Sequence, residues 1–305
     1  MERSYRLKEK KILNLDISII IPCKNEGGNL RWTVDSLMKS QNVLNYEIIV
    51  VDDGSSDGCS VFLKGDVYKK ITLIKTNSIG AGQARNIGVE AANGKYFMFC
   101  DAHIKVPHKW LDGLVNTLKT FDADVVTPCI TDIYNPLAAA YGLTWNNRLA
   151  VRWISRKPKI GDEIPFAGAG ALCITKEAFE KIYGFDNLFQ VLGAEDQELC
   201  LKAWLFGYKI VINPEVKVAH LFNRKRKYKV TSANIIYNTL SLAYYHFGEN
   251  RLNKTMKMFM MEINFSNVQK DIKENYEKII NKRNKYFNER IYDDDFFFKK
   301  FRIRF

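Results

Sequence analysis

Several features that would assign this chain to a membrane, secreted or zinc-binding class are missing from its 305 residues. No apolar run approaches the roughly 18 to 20 residues that span a bilayer. Residues 1–11 are charged and have no apolar core, so we expect no signal peptide. The six cysteines lack paired spacing and form no CxxC, which argues against a disulfide framework and against a thiolate zinc site. These absences predict a cytoplasmic protein in a reducing compartment.

What the chain has in excess is positive charge, with a formal net charge of +12. This surplus favours an anionic partner, and nucleic acid, an anionic membrane surface or a nucleotide diphosphate would each fit. No RNP, helix-turn-helix or zinc-finger pattern accompanies the charge. Nucleic-acid binding through the basic run at residues 223–229 is therefore kept only as an alternative. A nucleotidyltransferase would need a Gly-rich phosphate loop after the first strand, and residues 22–26 do not provide one.

The first two-thirds of the chain alternate β-rich runs with helical patterns. Residues 17–21, 47–51 and 96–100 are short, apolar and rich in β-branched or aromatic side chains, as buried strands are. Apolar residues at helical spacing follow in residues 30–38 and 110–118. The alternation predicts an α/β fold with a mainly parallel sheet flanked by helices. In such folds ligands bind beyond the carboxyl ends of the strands.

The composition changes near residue 232, where segments rich in Tyr, Asn, Lys and Glu begin. Helical patterns continue to about residue 290, and residues 293–305 form a tail in which Phe stands beside Lys and Arg. We therefore predict a lead over residues 1–15, an α/β domain over 16–230 and an α-helical extension over 231–305. The tail could contact a membrane peripherally or pack on the domain, and the sequence leaves both open.

Polar residues follow the predicted strands, where a site is expected. Asp52 and Asp53 come after the second strand, and Asp101 and His103 after a later one. Alternation along an extended chain places Asp101 and His103 on one side, so both can reach a single cation. A carboxylate with an imidazole suits Mn²⁺ or a related divalent ion. The alternative is a solvated Asp next to a helix-capping His.

Four later residues carry weaker signals. His220 ends the predicted strand 216–220 and could be a third metal ligand, although a single His at a strand end is more often structural. Arg224 lies in the basic run, which is either a solvated loop or a mobile loop that closes over a diphosphate. Glu195 and Asp196 open a helix, where the helix dipole favours acids without any function. Alternatively, one of them is a general base for an acceptor hydroxyl.

Taken in order, these fragments resemble the family 2 glycosyltransferases of the GT-A fold. The resemblance implies a glycosyltransferase that moves a hexose or N-acetylhexosamine from a UDP-sugar to a peptide or glycan acceptor, with Mn²⁺ or Mg²⁺ as cofactor. Five ordered motifs are more specific than any one of them. The motifs are residues 19–22 with Asn25 and Glu26, residues 50–55, residues 82–86, Asp101 at a strand end, and Glu195 with Asp196.

The resemblance also implies roles for single residues. Asp101 occupies the metal-binding DxD position of the family, and Asp196, beside Glu195, occupies the position of the base in inverting members. Arg85 would lie against the base or the phosphates. The remaining residues would bind the nucleoside: Pro22, Asn25, Glu26 and Asp53.

His103 departs from the family pattern, because it replaces the second Asp of DxD. A DxH motif with a distant His, followed by Phe and basic residues, resembles the polypeptide N-acetylgalactosaminyltransferases, whose metal shell would map to Asp101, His103 and His220. Those enzymes retain anomeric configuration and carry Glu-Asn where this chain has Glu195 and Asp196. We therefore expect inversion with Asp196 as base, with retention as the alternative, in a soluble relative of bacterial type.

The acceptor is expected on the side built by residues 136–153, residues 166–171 and the C-terminal helices. Tyr141, Trp145 and Trp153 could stack on a sugar or a peptide there, although aromatic residues at such spacing are more often core.

Overall fold

The computed structural model describes residues 15–222 and 228–305. The strands are β1 (Ile17–Cys23), β2 (Tyr46–Asp53), β3 (Thr72–Thr76), β4 (Tyr96–Cys100), β5 (Ile104–Lys105), β6 (Val125–Asp132), β7 (Ala139–Ala140), β8 (Leu143–Trp145), β9 (Val151–Trp153), β10 (Ala171–Thr175) and β11 (Ile210–His220). The helices are α1 (Gly28–Lys39), α2 (Ala81–Glu90), α3 (Trp110–Phe121), α4 (Lys176–Lys181), α5 (Glu195–Leu205), α6 (Ser232–His246), α7 (Glu249–Phe259), α8 (Phe265–Glu274), α9 (Tyr276–Glu289) and α10 (Asp294–Lys300).

One large sheet organises the molecule. Its parallel half has the order β3-β2-β1-β4. β10 then runs antiparallel between β4 and β6, β11 lies parallel to β6, and β5 pairs with β11 at the edge. β7 pairs with β6, while β8 and β9 form a separate ribbon. The predicted α/β fold is confirmed, with one antiparallel strand in mid-sheet that the sequence pattern did not predict.

The central strands have the composition that a sheet covered on both faces requires. Residues 17–21 of β1 are all buried, which suits their β-branched run. α1 buries Leu30, Val34 and Leu37 against the sheet. Met38, which the spacing places on the same face, is 39% exposed, so that part of the prediction is wrong. The helical spacing identifies the face of α1 that packs on the sheet, but it does not show which residues lie at the exposed edge of that face.

The sheet brings distant segments to one edge. β4 ends at Cys100, immediately before Asp101, and β11 ends at His220. β11 is antiparallel to β5, so that His220 pairs with Ile104, and the Leu221 N–H donates to the carbonyl oxygen of His103 at 3.0 Å. The turn after β4 and the end of β11 therefore meet, although they are far apart along the chain.

The C-terminal tail is part of the core. Phe297 and Phe298 of α10 are fully or almost fully buried, and Phe297 lies 5.2 Å from the ring of Phe166. Trp145 stacks on Phe298 with ring centroids 6.0 Å apart. Packing on the domain, one of the two possibilities for the tail, is thus observed for Phe297 and Phe298. Within residues 15–222 and 228–305 no helix has the length and apolarity needed to cross a bilayer.

Of the three aromatic residues considered for stacking, only one is accessible. Tyr141 and Trp145 are core residues, whereas Trp153 is 46% exposed. Trp153 lies 5.9 Å, ring to ring, from Phe222, two residues after His220. Trp153 is thus the member of the set that remains a candidate acceptor contact.

A buried charged cluster fastens the helical extension to the sheet domain. Glu198 and Lys202 of α5 and His246 of α6 are all fully buried. Lys202 Nζ donates to Glu198 Oε2 at 3.1 Å and to the Gly184 carbonyl oxygen at 2.9 Å, and His246 Nε2 lies 2.9 Å from Glu198 Oε1. Burial would raise the pKa of Glu198, but Lys202 and His246 hold it at about 2. Such a charge is tolerated only because its partners are buried with it.

We expect Phe297→Ala to lower the free energy of unfolding by about 3–5 kcal/mol, because it removes a fully buried ring from the aromatic cluster. Urea denaturation followed by circular dichroism measures the change. Ile263→Ala, at a position that is 97% exposed, is the control and should change the stability little. Equal stability of the two variants would contradict a core role for the tail.

Candidate active site

A cleft of about 560 Å³ opens at the carboxyl edge of the sheet. It lies between the turn after β1, the start of α2, the turn after β4 and the segment that follows β11. Its walls combine carboxylates, imidazoles and cations with backbone of the loops before α2 and α5. The residues that line it include Pro22, Cys23, Lys24, Asn25, Glu26, Asp53, Ser78, Arg85, Asp101, His103, Val191, His220, Phe222, Tyr228 and Lys229.

The three predicted metal ligands meet in this cleft. One ligand atom from each of Asp101, His103 and His220 lies within 4.8 Å of the other two. His220 Nε2 is 3.2 Å from Asp101 Oδ2, and His103 Nε2 is 3.9 Å from the same oxygen. The two imidazole rings are 4.7 Å apart, centroid to centroid. One carboxylate with two imidazoles is a donor set that suits Mn²⁺ and similar ions.

The backbone around this triad leaves space for the ligands. A Cβ on Gly170 would stand 2.8 Å from Asp101 Oδ2 and 3.7 Å from His220 Cδ2, so only glycine lets the carboxylate approach. The Asp101 N–H donates to the Gly170 carbonyl oxygen at 3.0 Å. His220 Nδ1 is buried and has no hydrogen-bond partner in the part of the chain that the structure describes. The residues present therefore fit a divalent cation.

The surroundings of the triad favour an ionised Asp101 and a protonated His103, so a metal ion that binds here has to displace the His103 proton. Burial would raise the pKa of Asp101, but the hydrogen bond from His220 and the charges of His103, His220 and Arg85 hold it well below its usual range. Burial lowers the pKa of His103, yet the hydrogen bond to Glu26 and the charge of Asp101 raise it overall. His103 Nδ1 lies 3.2 Å from Glu26 Oε2, so Glu26 orients the ring.

Arg85 on α2 links the triad to the rest of the cleft. Its Nη2 is 3.3 Å from Asp101 Oδ1, and its guanidinium carbon lies 5.3 Å from the centre of the Phe185 ring. Arg85 is almost fully buried, and its Nε and Nη1 have no partner among the described residues. These two nitrogens carry three N–H groups, which can donate to an anionic ligand that reaches Arg85 in the cleft.

The residues predicted to bind the nucleoside lie together in the cleft, but their side chains make different contacts. Pro22, Asn25, Glu26 and Asp53 all line the cleft. The Asp53 carboxylate accepts hydrogen bonds from the Ile79 and Gly80 N–H groups at 2.7 and 2.9 Å, so it shapes the loop before α2. The Asn25 side-chain oxygen accepts from the Ser56 N–H at 2.8 Å. Asp53 and Asn25 thus position loops around the cleft, and Glu26 links this region to the triad through His103.

Glu195 and Asp196 are not among the residues that line the cleft. The Glu195 carboxylate accepts a hydrogen bond from the Gly193 N–H and so holds the loop before α5. Asp196 Oδ1 is buried and has no partner among the described residues. Burial and the neighbouring charge of Glu195 raise the pKa of Asp196 to about 7, although Arg85 opposes the shift. Asp196 is thus a carboxyl that can exchange a proton near neutral pH.

Some cleft residues carry no signal in the sequence. Lys24 Nζ donates to Ser78 Oγ at 2.6 Å across the cleft floor, and no local pattern indicates this contact because the two residues belong to different loops. Val191 lines the wall with a φ of 46°, an uncommon conformation for a β-branched residue. Arg224 lies outside the described residues, whereas Tyr228 and Lys229 just after it line the cleft.

Comparison with known proteins gives the class to which this architecture and site belong. Residues 18–183 match the model of glycosyl transferase family 2, and residues 155–227 match the model described as N-terminal domain of galactosyltransferase. The first match covers more than half of the chain. The fold is that of the GT-A glycosyltransferases, as predicted. The chain belongs to glycosyl transferase family 2.

Among the curated relatives, two polypeptide N-acetylgalactosaminyltransferases are similar to this chain over more than two thirds of its length. Mouse polypeptide N-acetylgalactosaminyltransferase 4 is 29% identical over 272 residues, which are 79% of this chain and 46% of the relative. Drosophila melanogaster polypeptide N-acetylgalactosaminyltransferase 8 is 27% identical over 225 residues, 68% of this chain and 38% of the relative. The chain thus spans about half the length of the curated relatives it matches.

Solved structures agree on the fold. GalNAc-T7, crystallised with UDP, GalNAc and Mn²⁺, matches with a TM-score of 0.69 and 21% identity, over 86% of this chain and 54% of that one. S. aureus TarS 1-349 in complex with UDP-GlcNAc matches with a TM-score of 0.59 and 16% identity, over 90% of this chain and 81% of that one. At these identities the likeness concerns the fold.

The raised pKa of Asp196 predicts a pH-dependent stability. The folded carboxyl keeps its proton up to about pH 7, whereas the unfolded one loses it near an ordinary value of about 3.9. Stability therefore falls as the pH rises between these two values and stays low above them. The Asp196→Asn side chain cannot ionise, so it avoids the cost of a buried negative charge. We therefore expect this variant to melt at a higher temperature than wild type at pH 8, and the difference in melting temperature to shrink towards pH 4.

Thermal denaturation at a series of pH values measures the effect. Asp66→Asn removes the same charge from an exposed position and controls for net charge. A constant difference between Asp196→Asn and wild type from pH 4 to pH 8 would contradict the shifted pKa.

Proposed function

We propose that the chain transfers a sugar from a UDP-sugar to an acceptor, with Mn²⁺ or Mg²⁺ as cofactor. The observation that carries the proposal is the convergence of Asp101, His103 and His220, within 4.8 Å of one another, in a cleft of about 560 Å³. The UDP and Mn²⁺ of the GalNAc-T7 structure, on the same fold, support the choice of donor and metal. N-acetylgalactosamine is the sugar that the names of the relatives favour.

The three ligands would hold the metal beside the diphosphate. A divalent ion there supplies a Lewis acid that stabilises negative charge on the leaving UDP, an effect worth several kcal/mol. The chain adds its own cations. Arg85, next to Asp101, has two nitrogens without a partner among the described residues, and Lys24 and Lys229 line the same cleft. These groups neutralise the diphosphate and orient it by charge-assisted hydrogen bonds. Arg224, which lies outside the described residues, is proposed to contact the diphosphate as well.

The nucleoside would occupy the side of the cleft built by β1 and β2. There Asn25 is held by the turn at residues 54–56, since the Asn25 N–H donates to Ser55 Oγ at 3.0 Å, and Pro22 pairs with Val51 of β2. Glu26 lies between this region and the triad through its contact with His103. Asp53 contributes indirectly, because it fixes the loop at residues 76–80.

For the stereochemistry we propose inversion, with Asp196 as the general base. Its pKa of about 7 suits a carboxylate that accepts the proton of an acceptor hydroxyl, and its Oδ1 has no partner within the described part of the chain. The second candidate is retention, which is favoured by the position of Asp196 outside the cleft lining and by the resemblance to polypeptide N-acetylgalactosaminyltransferases. Glu195 serves both schemes as the residue that holds the loop before α5.

The acceptor would approach on the side of Trp153 and Phe222. These two rings are exposed, lie 5.9 Å apart and stand beside His220, whose ring is 4.5 Å from that of Phe222. Aromatic faces of this kind suit a peptide or a glycan. The names of the curated relatives favour a peptide.

Activity tests the proposal directly. With a panel of UDP-sugars and Mn²⁺, we expect release of UDP from one sugar, abolished by EDTA and restored by added Mn²⁺. His220→Ala should lower the rate by at least about tenfold, because it removes one of three protein ligands. His108→Ala, the same change at an exposed His outside the cleft, should keep the wild-type rate. Equal rates in the two variants would overturn the metal assignment.

The anomeric outcome separates the two stereochemical schemes. If the enzyme inverts, proton NMR of the first product formed shows the anomer opposite to that of the donor. Asp196→Asn should then lose most of its turnover while its affinity for UDP changes little, because the lost carboxylate acts on the acceptor. A product with the donor's configuration, formed at an undiminished rate by Asp196→Asn, would establish retention.

A further inference from the structure

A second cluster of metal-ligating side chains borders the cleft through Cys23. Cys23, Asp52 and Cys59 are all buried, and one ligand atom from each lies within 4.8 Å of the other two. Both cysteines are free thiols. The sequence spacing argued against a thiolate site, yet the fold brings these two thiols together with a carboxylate. The cluster shares no residue with the triad of Asp101, His103 and His220.

The fold holds each of the three residues rigidly. Cys23 is the last residue of β1 and pairs in register with Asp52 of β2, so the two side chains leave neighbouring strands at the same level. Cys59 comes from the loop after β2, where the Cys59 N–H donates to Asp57 Oδ1 at 3.0 Å. Two strand ends and one anchored loop therefore form a preorganised site rather than a chance contact.

The carboxylate of the cluster is oriented as metal ligands usually are. Asp52 Oδ1 accepts a hydrogen bond from the Ser55 N–H at 2.9 Å, and Asp52 Oδ2 accepts one from Ser60 Oγ. Each carboxylate oxygen keeps a second lone pair for a cation. Ser55 Oγ lies 3.3 Å from Cys59 Sγ, so a hydroxyl stands next to the thiols as well. Hydrogen bonds of this kind tune and orient the ligands in metal sites.

We propose that Cys23 Sγ, Cys59 Sγ and the Asp52 carboxylate form a binding site for a thiophilic divalent cation of the Zn²⁺ class. Tetrahedral zinc, with Zn–S of about 2.3 Å and Zn–O of about 2.0–2.2 Å, sets its ligand atoms roughly 3.5–3.8 Å apart. The 4.8 Å limit on the separations in the cluster admits this geometry. On binding, both thiols lose their protons to solvent, and the cation takes two thiolates and one carboxylate.

The donor atoms separate this site chemically from the triad in the cleft. Thiolates select Zn²⁺ and similar soft ions, whereas one carboxylate with imidazoles serves Mn²⁺. The two sites can therefore be filled with different metals. Cys23 lines the cleft, which gives a cation an entry path.

Occupancy of the second site would brace the loops that form the cleft. Ser55 Oγ, beside Cys59, accepts the hydrogen bond from the Asn25 N–H at 3.0 Å. Cys23 directly precedes Lys24 and Asn25 in the turn after β1. A cation bound between β1, β2 and the Cys59 loop would thus fix the turn that carries Asn25 and Glu26.

Cadmium, a spectroscopic substitute for zinc, tests the proposal on the full chain. Titration of the reduced protein with Cd²⁺ should produce a thiolate-to-cadmium ultraviolet band that saturates at one equivalent, and Zn²⁺ should compete for it. Cys59→Ser should weaken Cd²⁺ binding at least about tenfold. Cys129→Ser, which changes a buried cysteine elsewhere in the core, should leave the band unchanged. His220→Ala should also keep the band, since His220 belongs to the triad with Asp101 and His103 and not to the cysteine cluster.

A second measurement does not depend on any variant folding. X-ray absorption of the wild-type complex with one equivalent of Cd²⁺ counts the sulfur atoms around the metal, and we expect two. A shell of oxygen and nitrogen alone, or a Cd²⁺ band of equal size in Cys59→Ser, would overturn the proposal. Circular dichroism of each variant shows that a loss of the band comes from the site and not from unfolding.

Discussion

The organisation of the cleft depends on one carboxylate, that of Asp101, held at the end of a buried strand. His220 contacts it at 3.2 Å and Arg85 at 3.3 Å, and His103 stands 3.9 Å away. Burial alone would favour its protonated form, and the hydrogen bond from His220 together with the charges around the carboxylate lowers the pKa of Asp101 instead. The arrangement requires β11 to end opposite β5, and it requires a residue without a Cβ at position 170. Sheet pairing, loop backbone and site electrostatics thus constrain one another.

The rest of the molecule keeps that edge of the sheet rigid. α5 carries Glu195 and Asp196 at its start, and its middle is fastened to α6 through Glu198, Lys202 and His246. The C-terminal aromatic residues fill the space beneath Trp145 and Phe166. A family 2 core is therefore supported on one side by helices that belong to the last quarter of the chain. The division at residue 230 remains a proposal, since the contacts across it are extensive.

Much of the fold and part of the cleft could be predicted from sequence, for identifiable reasons. β1, β2 and β4 are recognisable because strands buried on both faces are continuous apolar runs, and the ends of parallel strands share an edge. Asp101 and His103 do meet as predicted, but a turn between β4 and β5 brings them together and not the strand alternation on which the prediction rested. By contrast, β10 carries no local sign of its antiparallel direction. The contacts of His220 with Asp101, of Lys24 with Ser78 and of Cys23 with Cys59 join residues that only the folded chain brings together.

The central claim is that Asp101, His103 and His220 bind one divalent ion next to the donor's phosphates. Electron–nuclear double resonance of Mn²⁺ bound to the chain in the presence of UDP tests it most directly. The account predicts nitrogen couplings from two imidazoles together with a phosphorus coupling, and loss of one nitrogen coupling in His220→Ala. A spectrum with water protons alone, unchanged in that variant, would contradict it.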